Sequence, residues 1–276
     1  MKGLAAILML LAGCACGRGV PESVDPAAEI WAKYADGVDD AEVSVALVRD
    51  GVPAFAGDPS AIYRLGPLTG FFVIEAALRI EERGEIDLDR PLTAFARFSL
   101  DPLYGRVTMR ELAELVAAPV GSDGSLAFLA ERFPWASDAR IALFAALLEN
   151  AVGKPLSEIV RDEIALPLGL RATSFAPSAD KLANVEKDGR GFDGLYSSAE
   201  DCVKFFASSG RILASALLRR RRVRGVELAF AVGRTCGGRR FVAGPAGGRD
   251  FLLIFRNVTS WSQYGDLESA SKAFAR

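Results

Sequence analysis

Apolar runs with strand character lie near both ends of the chain. Val43–Val48 stands on one side and Val226–Val232, Arg240–Ala243 and Phe251–Phe255 on the other, with mostly helical periodicity between. Neither group can bury its own apolar face, because a sheet needs a second layer and an isolated hairpin is marginal in water. The two groups are therefore expected to meet in one sheet. With 276 residues, 50% of them hydrophobic, the chain has enough material for that core and for an inserted unit. The expected class is α/β (α+β): an antiparallel sheet flanked by helices, formed by residues 24–83 and 195–276, with 84–194 an inserted helical domain.

Local signals refine this order. Asp25 reads as a cap and Pro26 as the first position of a helix to Ala35. Asp50-Gly51 is a hairpin signal between Val43–Arg49 and Val52–Phe55. Leu68–Arg83 reads as a helix closed by Gly84, and Thr108 with Glu111 as a capping box. Helices are expected over 136–152, 156–166, 267–274 and, from the Ser197/Glu200 spacing, about 197–208.

The N-terminus carries a different message. Lys2 precedes an apolar stretch too short to span a bilayer, which ends in Leu11-Ala12-Gly13-Cys14. Small residues before a cysteine, directly after such a stretch, resemble the bacterial lipoprotein signal. Residues 1–13 are then a signal peptide, Cys14 the lipidation site and 14–23 a tether, the address being the periplasmic face of the outer membrane. The partner so implied is a membrane, held through several acyl chains.

Several chemistries are excluded by counting. There are no histidines, which rules out Ser-His, Cys-His and His-ligated metal mechanisms. Beyond Cys14 and Cys16 only Cys202 and Cys236 remain, and the sequence leaves open whether they are bonded. Formal net charge is −2, so no global field points to nucleic acid. Arg219–Arg222, with Arg224 beyond, is locally basic, and a solvated surface, or a contact with anionic lipid or another polyanion, would explain it. No phosphate loop, metal cluster or cofactor fingerprint is expected; Asp87 and Asp89 read as solvated carboxylates of a turn.

The order of several short stretches resembles the serine β-lactamase and penicillin-binding-protein superfamily, in the branch related to class C β-lactamases. These are VSVALVRDG at 43–51, YRLGPLTGFFVIEAALRIEERGEIDLDRPL at 63–92, Thr108–Leu112, Gly153-Lys154-Pro155, Pro167–Leu170 and Gly194–Asp201. The resemblance covers about residues 24–276 and implies a β-lactamase/transpeptidase-like fold. It also implies an S-x-x-K motif at the start of the central helix, whose serine is acylated and whose lysine removes the proton.

This chain has Pro67 at the serine position and Gly70 at the lysine position. Proline supplies neither a nucleophile nor the backbone N–H used by the family's oxyanion hole. The Tyr-x-Asn motif maps to Ala136-Ser137-Asp138, with Ser137 reading as a cap, and the edge-strand motif to Cys236-Gly237-Gly238. The expected protein is a degenerate, non-catalytic member that keeps a binding cleft at Pro67, Gly70, Ser137, Asp138, Cys236, Gly237 and Gly238. Its partner class is a peptide, a cell-wall fragment or a protein. The alternative is an active hydrolase or esterase using Ser137, Ser178 or Cys236. Two further S-x-x-K strings, at Ser178–Lys181 and Ser269–Lys272, lack supporting motifs.

Overall fold

The computed structural model describes residues 25–35, 42–100, 102–114, 139–175, 194–210, 218–235, 238–257 and 263–275. Strands β1 (Val43–Arg49), β2 (Val52–Ala56), β5 (Arg219–Val223), β6 (Val226–Thr235), β7 (Gly238–Pro245) and β8 (Phe251–Arg256) form one sheet in the order β2-β1-β8-β7-β6-β5. All its pairings are antiparallel. The two ends of the chain join at β1 and β8, where Val43 lies opposite Arg256 and Val48 opposite Phe251.

Both faces of this sheet are covered, which explains why its central strands read as unbroken apolar runs. On one face Val43, Val45, Leu47, Leu252 and Ile254 pack under helices α1 (Pro26–Ala35) and α7 (Gln263–Phe274). On the other, Ala46, Val48, Phe251, Leu253 and Phe255 join the larger core. Alternation of side chains along each strand sorts these residues into their two layers.

The larger core is built around α2 (Thr69–Glu82), with Phe72, Val73, Ala76, Ala77 and Ile80 buried. Against it lie α4 (Ala139–Val152), α5 (Leu156–Val160) and the π-turn Arg161–Ala165. Helix α3 (Met109–Ala113) begins with the expected box: the Glu111 N–H donates to Thr108 Oγ1 at 3.1 Å, and the Thr108 N–H donates to Glu111 Oε2 at 2.9 Å. Asp25 caps α1 by accepting from the Ala27 N–H at 2.9 Å.

One local expectation is corrected, and two features are added. Helix α6 (Ala199–Ser208) is capped by Ser198, which accepts from the Asp201 N–H, and not by Ser197. Ser197 belongs instead to β4 (Tyr196–Ser198), which pairs with β3 (Ile62–Arg64) in a small second sheet absent from the sequence reading. The basic run 219–222 is strand β5 at the sheet edge, where four exposed side chains hide the period-2 pattern. Among the described residues no helix is long and apolar enough to cross a membrane.

Candidate functional site

The site grows from the end of β3. Leu65 donates its N–H to Leu195 O at 2.8 Å, and the Leu195 N–H donates to Thr69 Oγ1 at 3.3 Å, so one residue clamps both ends of the intervening turn. Gly66 takes φ 54°, a left-handed conformation that favours glycine. A 3-10 turn, Gly66–Leu68, then leads directly into α2. Pro67 sits half-buried in that turn, where a proline N–H is not missed because early helical donors have no carbonyl partner. Thr69 is fully buried on the clamp, away from the Gly70 face.

Gly70 lies buried in the first turn of α2 and faces α4: a Cβ added there would be 3.4 Å from Ile141 Cγ2. This brings the Pro67/Gly70 segment to the start of α4, directly after 136–138. That contact distance is ordinary packing, so Gly70→Ala should raise stability by about 0.5–1 kcal/mol through helix propensity. The urea midpoint reads it; a lowered midpoint would show that the site requires glycine.

The strand facing the turn is β6, at Gly233. A Cβ at Gly233 would stand 2.7 Å from Leu65 O and 3.1 Å from Leu68 Cγ, so this close approach needs glycine. At Gly238, an expected partner of the turn, an added Cβ would crowd Arg256 O, Arg240 Nη1 and Asn257. The structure thus brings Pro67, Gly70, Gly233 and the start of α4 together, with Gly238 paired to Thr235 further along β6 and close to the Arg240 guanidinium. Cys14, Ala136, Ser137, Asp138, Ser178, Cys236 and Gly237 lie outside the described residues.

Arg240, which the sequence offers together with Arg234 and Arg239 as positive charge flanking the edge-strand motif, pairs with Gly233 across the strands and is only 1% exposed. Its guanidinium carbon lies 4.9 Å from the centre of the Tyr63 ring; Nη1 donates to Arg239 O at 3.0 Å and to Arg256 O, and Nη2 to Asn257 Oδ1 at 2.8 Å. Tyr63 is buried too, its hydroxyl 2.7 Å from Ser44 Oγ, and burial pushes that phenol up to about 12. A fixed positive charge therefore stands behind the turn. The signal was present in Gly233: an apolar strand interrupted by glycine marks a close backbone approach.

Other candidate groups are occupied structurally. Cys202 is a free, fully buried thiol, 3.5 Å from Ser197 Oγ, and burial pushes its pKa up to about 12, which removes it as a nucleophile. Ser269 of the second S-x-x-K string is buried in α7, its hydroxyl donating to Gly265 O and accepting from Lys33, while Lys272 is exposed. Glu81, Asp87 and Asp89 approach closely enough to suggest a cation, but Arg110 already bridges Glu81 at 2.6 Å and Asp89 at 2.7 Å. Concavities of about 570 Å³ beside Arg90 and Arg97 and about 210 Å³ beside Thr173 and Leu195 are lined by neither the Pro67 turn nor Gly233.

Comparison with known proteins decides what this arrangement belongs to. The Beta-lactamase family model matches residues 32–261. The chain belongs to the beta-lactamase family. Over 184 residues it is 25% identical to the D-alanyl-D-alanine-carboxypeptidase/endopeptidase AmpH of Escherichia coli K12, covering 52% of this chain and 48% of that protein. A shorter match, 37% identical over 79 residues, joins it to a beta-lactamase-like protein of Arthroderma benhamiae, covering 25% of this chain and 13% of that one. The chain thus spans half or less of the curated relatives it matches. Among solved structures, a class C beta-lactamase from Rhodobacter sphaeroides superposes with TM-score 0.66 at 14% identity, covering 90% of this chain and 98% of that one. A beta-lactamase/D-alanine carboxypeptidase from Yersinia pestis gives 0.62 at 15% identity, covering 90% and 96%. These similarities establish the beta-lactamase/transpeptidase-like fold.

Proposed function

We propose that this beta-lactamase family member has lost the serine-hydrolase chemistry and acts as a non-catalytic binding or scaffold lipoprotein of the cell envelope. The observation that carries the reading is the pair Pro67 and Gly70. They occupy the turn and first helical residues that the family resemblance assigns to the acylated serine and its lysine, and neither side chain carries a titratable or nucleophilic atom. A water attacking in place of serine would also lack the N–H that proline removes, a loss of about 2.7–4 kcal/mol of transition-state stabilisation when one oxyanion donor is missing.

What survives is a junction of turn, strand and helix with a cation behind it, suited to a peptide, a cell-wall fragment or a protein segment. Attachment through Cys14 would hold this junction at the membrane, on the periplasmic face of the outer membrane.

The test is covalent labelling. Incubated with a penicillin-type probe and with a fluorophosphonate, the full chain is expected to show no adduct by intact-mass spectrometry and no ester turnover. Acylation of one residue, abolished by its replacement, would install the alternative of a hydrolase with a nonstandard nucleophile; Ser137, Ser178 and Cys236 are the first to replace. Screening the unmodified protein against peptide and cell-wall fragments then identifies the ligand class.

A further inference from the structure

The run 219–222 is the feature that the fold and the site leave without a role. It forms the outermost strand, paired on one side with β6 from Arg219 opposite Phe230 to Val223 opposite Val226. All four arginines are exposed, and only Val223 turns its side chain into the core. Arg222 stands 4.0 Å from Glu227 and Arg224 pairs with Glu268. Arg219, Arg220 and Arg221 have no carboxylate partner among the described residues. Strand geometry sends Arg219 and Arg221 to one face and Arg220 to the other, so the edge carries charge on both sides.

From this we infer that the β5 edge is a contact surface for an anionic lipid bilayer, holding the protein edge-down on phosphate-bearing headgroups. A second copy of the chain is a poor occupant: adding strand to strand at this edge would bring arginines against arginines, which is destabilising. Nucleic acid is disfavoured by the chain as a whole, whose formal net charge is −2. A flat negative surface matches a straight edge of guanidinium groups, each of which binds phosphate oxygens in a bidentate fork.

Preference for a bilayer over other polyanions rests on reading Cys14 as a lipid-attachment site. The span permits it. Ten residues from Ala15 to Val24 reach at most about 35 Å when extended, whereas β1, on which α1 packs, is four strand spacings or about 19 Å from β5. An anchor on the α1 side therefore leaves the basic edge free to meet the same membrane.

The experiment compares partitioning of the full chain onto vesicles of neutral phosphatidylcholine and onto vesicles containing 30% phosphatidylglycerol. An apolar leader or attached acyl chains contribute to both, so the ratio isolates headgroup charge. At low salt the ratio is expected to be on the order of 100 in the wild type, roughly five-fold for each of three arginines. In R219Q/R220Q/R221Q it should fall towards one with an unchanged denaturation midpoint, and half-molar salt should erase the difference. A ratio near one in the wild type, or an undiminished ratio in the triple variant, overturns the inference. So does binding of duplex RNA that is lost in the triple variant while vesicles show no charge preference. Mass analysis of Cys14 reports the anchor separately, so failure of the lipid reading and failure of the edge are told apart.

Discussion

Phe72→Ala is expected to lower the free energy of unfolding by about 3–5 kcal/mol, the range for deleting a fully buried phenylalanine from a packed core. The Phe72 ring is completely buried and stacks on Phe205 of α6 with centroids 3.7 Å apart and planes 12° apart. Phe205 meets Phe206 edge-on at 5.1 Å, and Phe206 lies 5.9 Å from Phe251 of β8. One aromatic chain therefore ties the helix that begins at the Pro67 turn to the centre of the sheet. Alanine would leave a void lined by rings that cannot collapse without moving α2 or α6. Leucine keeps most of the volume and should cost well under half as much. Urea unfolding with an unchanged slope reads both variants. A Phe72→Ala midpoint within 1 kcal/mol of wild type would mean that α2 is held by other contacts.

How far the sequence disclosed this architecture depends on which residues carried the signal. Val43–Val48 and Phe251–Phe255 announced their pairing because both faces of the central strands are apolar. Strand β5 did not, since every residue but Val223 faces water and a run of arginines has no hydrophobic period. The Ser197/Glu200 spacing matched a capping box, yet the helix starts one residue later, because Ser197 is held in β4 and its hydroxyl lies 2.8 Å from Thr173 Oγ1. At the site, the turn was legible from Gly66-Pro67 and the helix behind it. Its partner on β6 left only the weaker sign of Gly233 within an apolar strand. The approach of strand to turn is set by the tertiary packing of Leu65 and Leu68 against that glycine. The burial of Arg240 gave no local sign either, since nothing in a strand arginine's sequence shows that a tyrosine ring and backbone carbonyls will replace its water.

Another expected effect concerns Asp266, at the seam where α1 and α7 cover the sheet. It is fully buried, and neither carboxylate oxygen has a hydrogen-bond partner. Burial drives its pKa up to about 7, and the neighbouring Tyr34 hydroxyl and the charges of Lys33, Arg256 and Arg239 oppose that rise only in part. Lys33 Nζ donates instead to Gly265 O and Ser269 Oγ, each at 2.8 Å, and the Arg256 guanidinium lies over the Tyr34 ring with its Nε unpaired. A carboxyl raised in the folded state binds its proton more tightly there than in the unfolded chain. The contribution of Asp266 to stability is therefore greatest below about pH 4, where both states are protonated, and falls as pH rises to about 7, where the native group ionises. The full difference is about 4 kcal/mol for a shift from 3.8 to about 7, at 1.36 kcal/mol per unit. Asp266→Asn keeps the shape and removes the charge, so it should match the wild type near pH 4 and exceed it by up to about 4 kcal/mol at pH 8. Urea unfolding at the two values measures this. Equal effects of the substitution at both would show that Asp266 titrates alike in the folded and unfolded chain, its native charge balanced by the surrounding cations rather than carried as a cost of docking α7 onto the sheet.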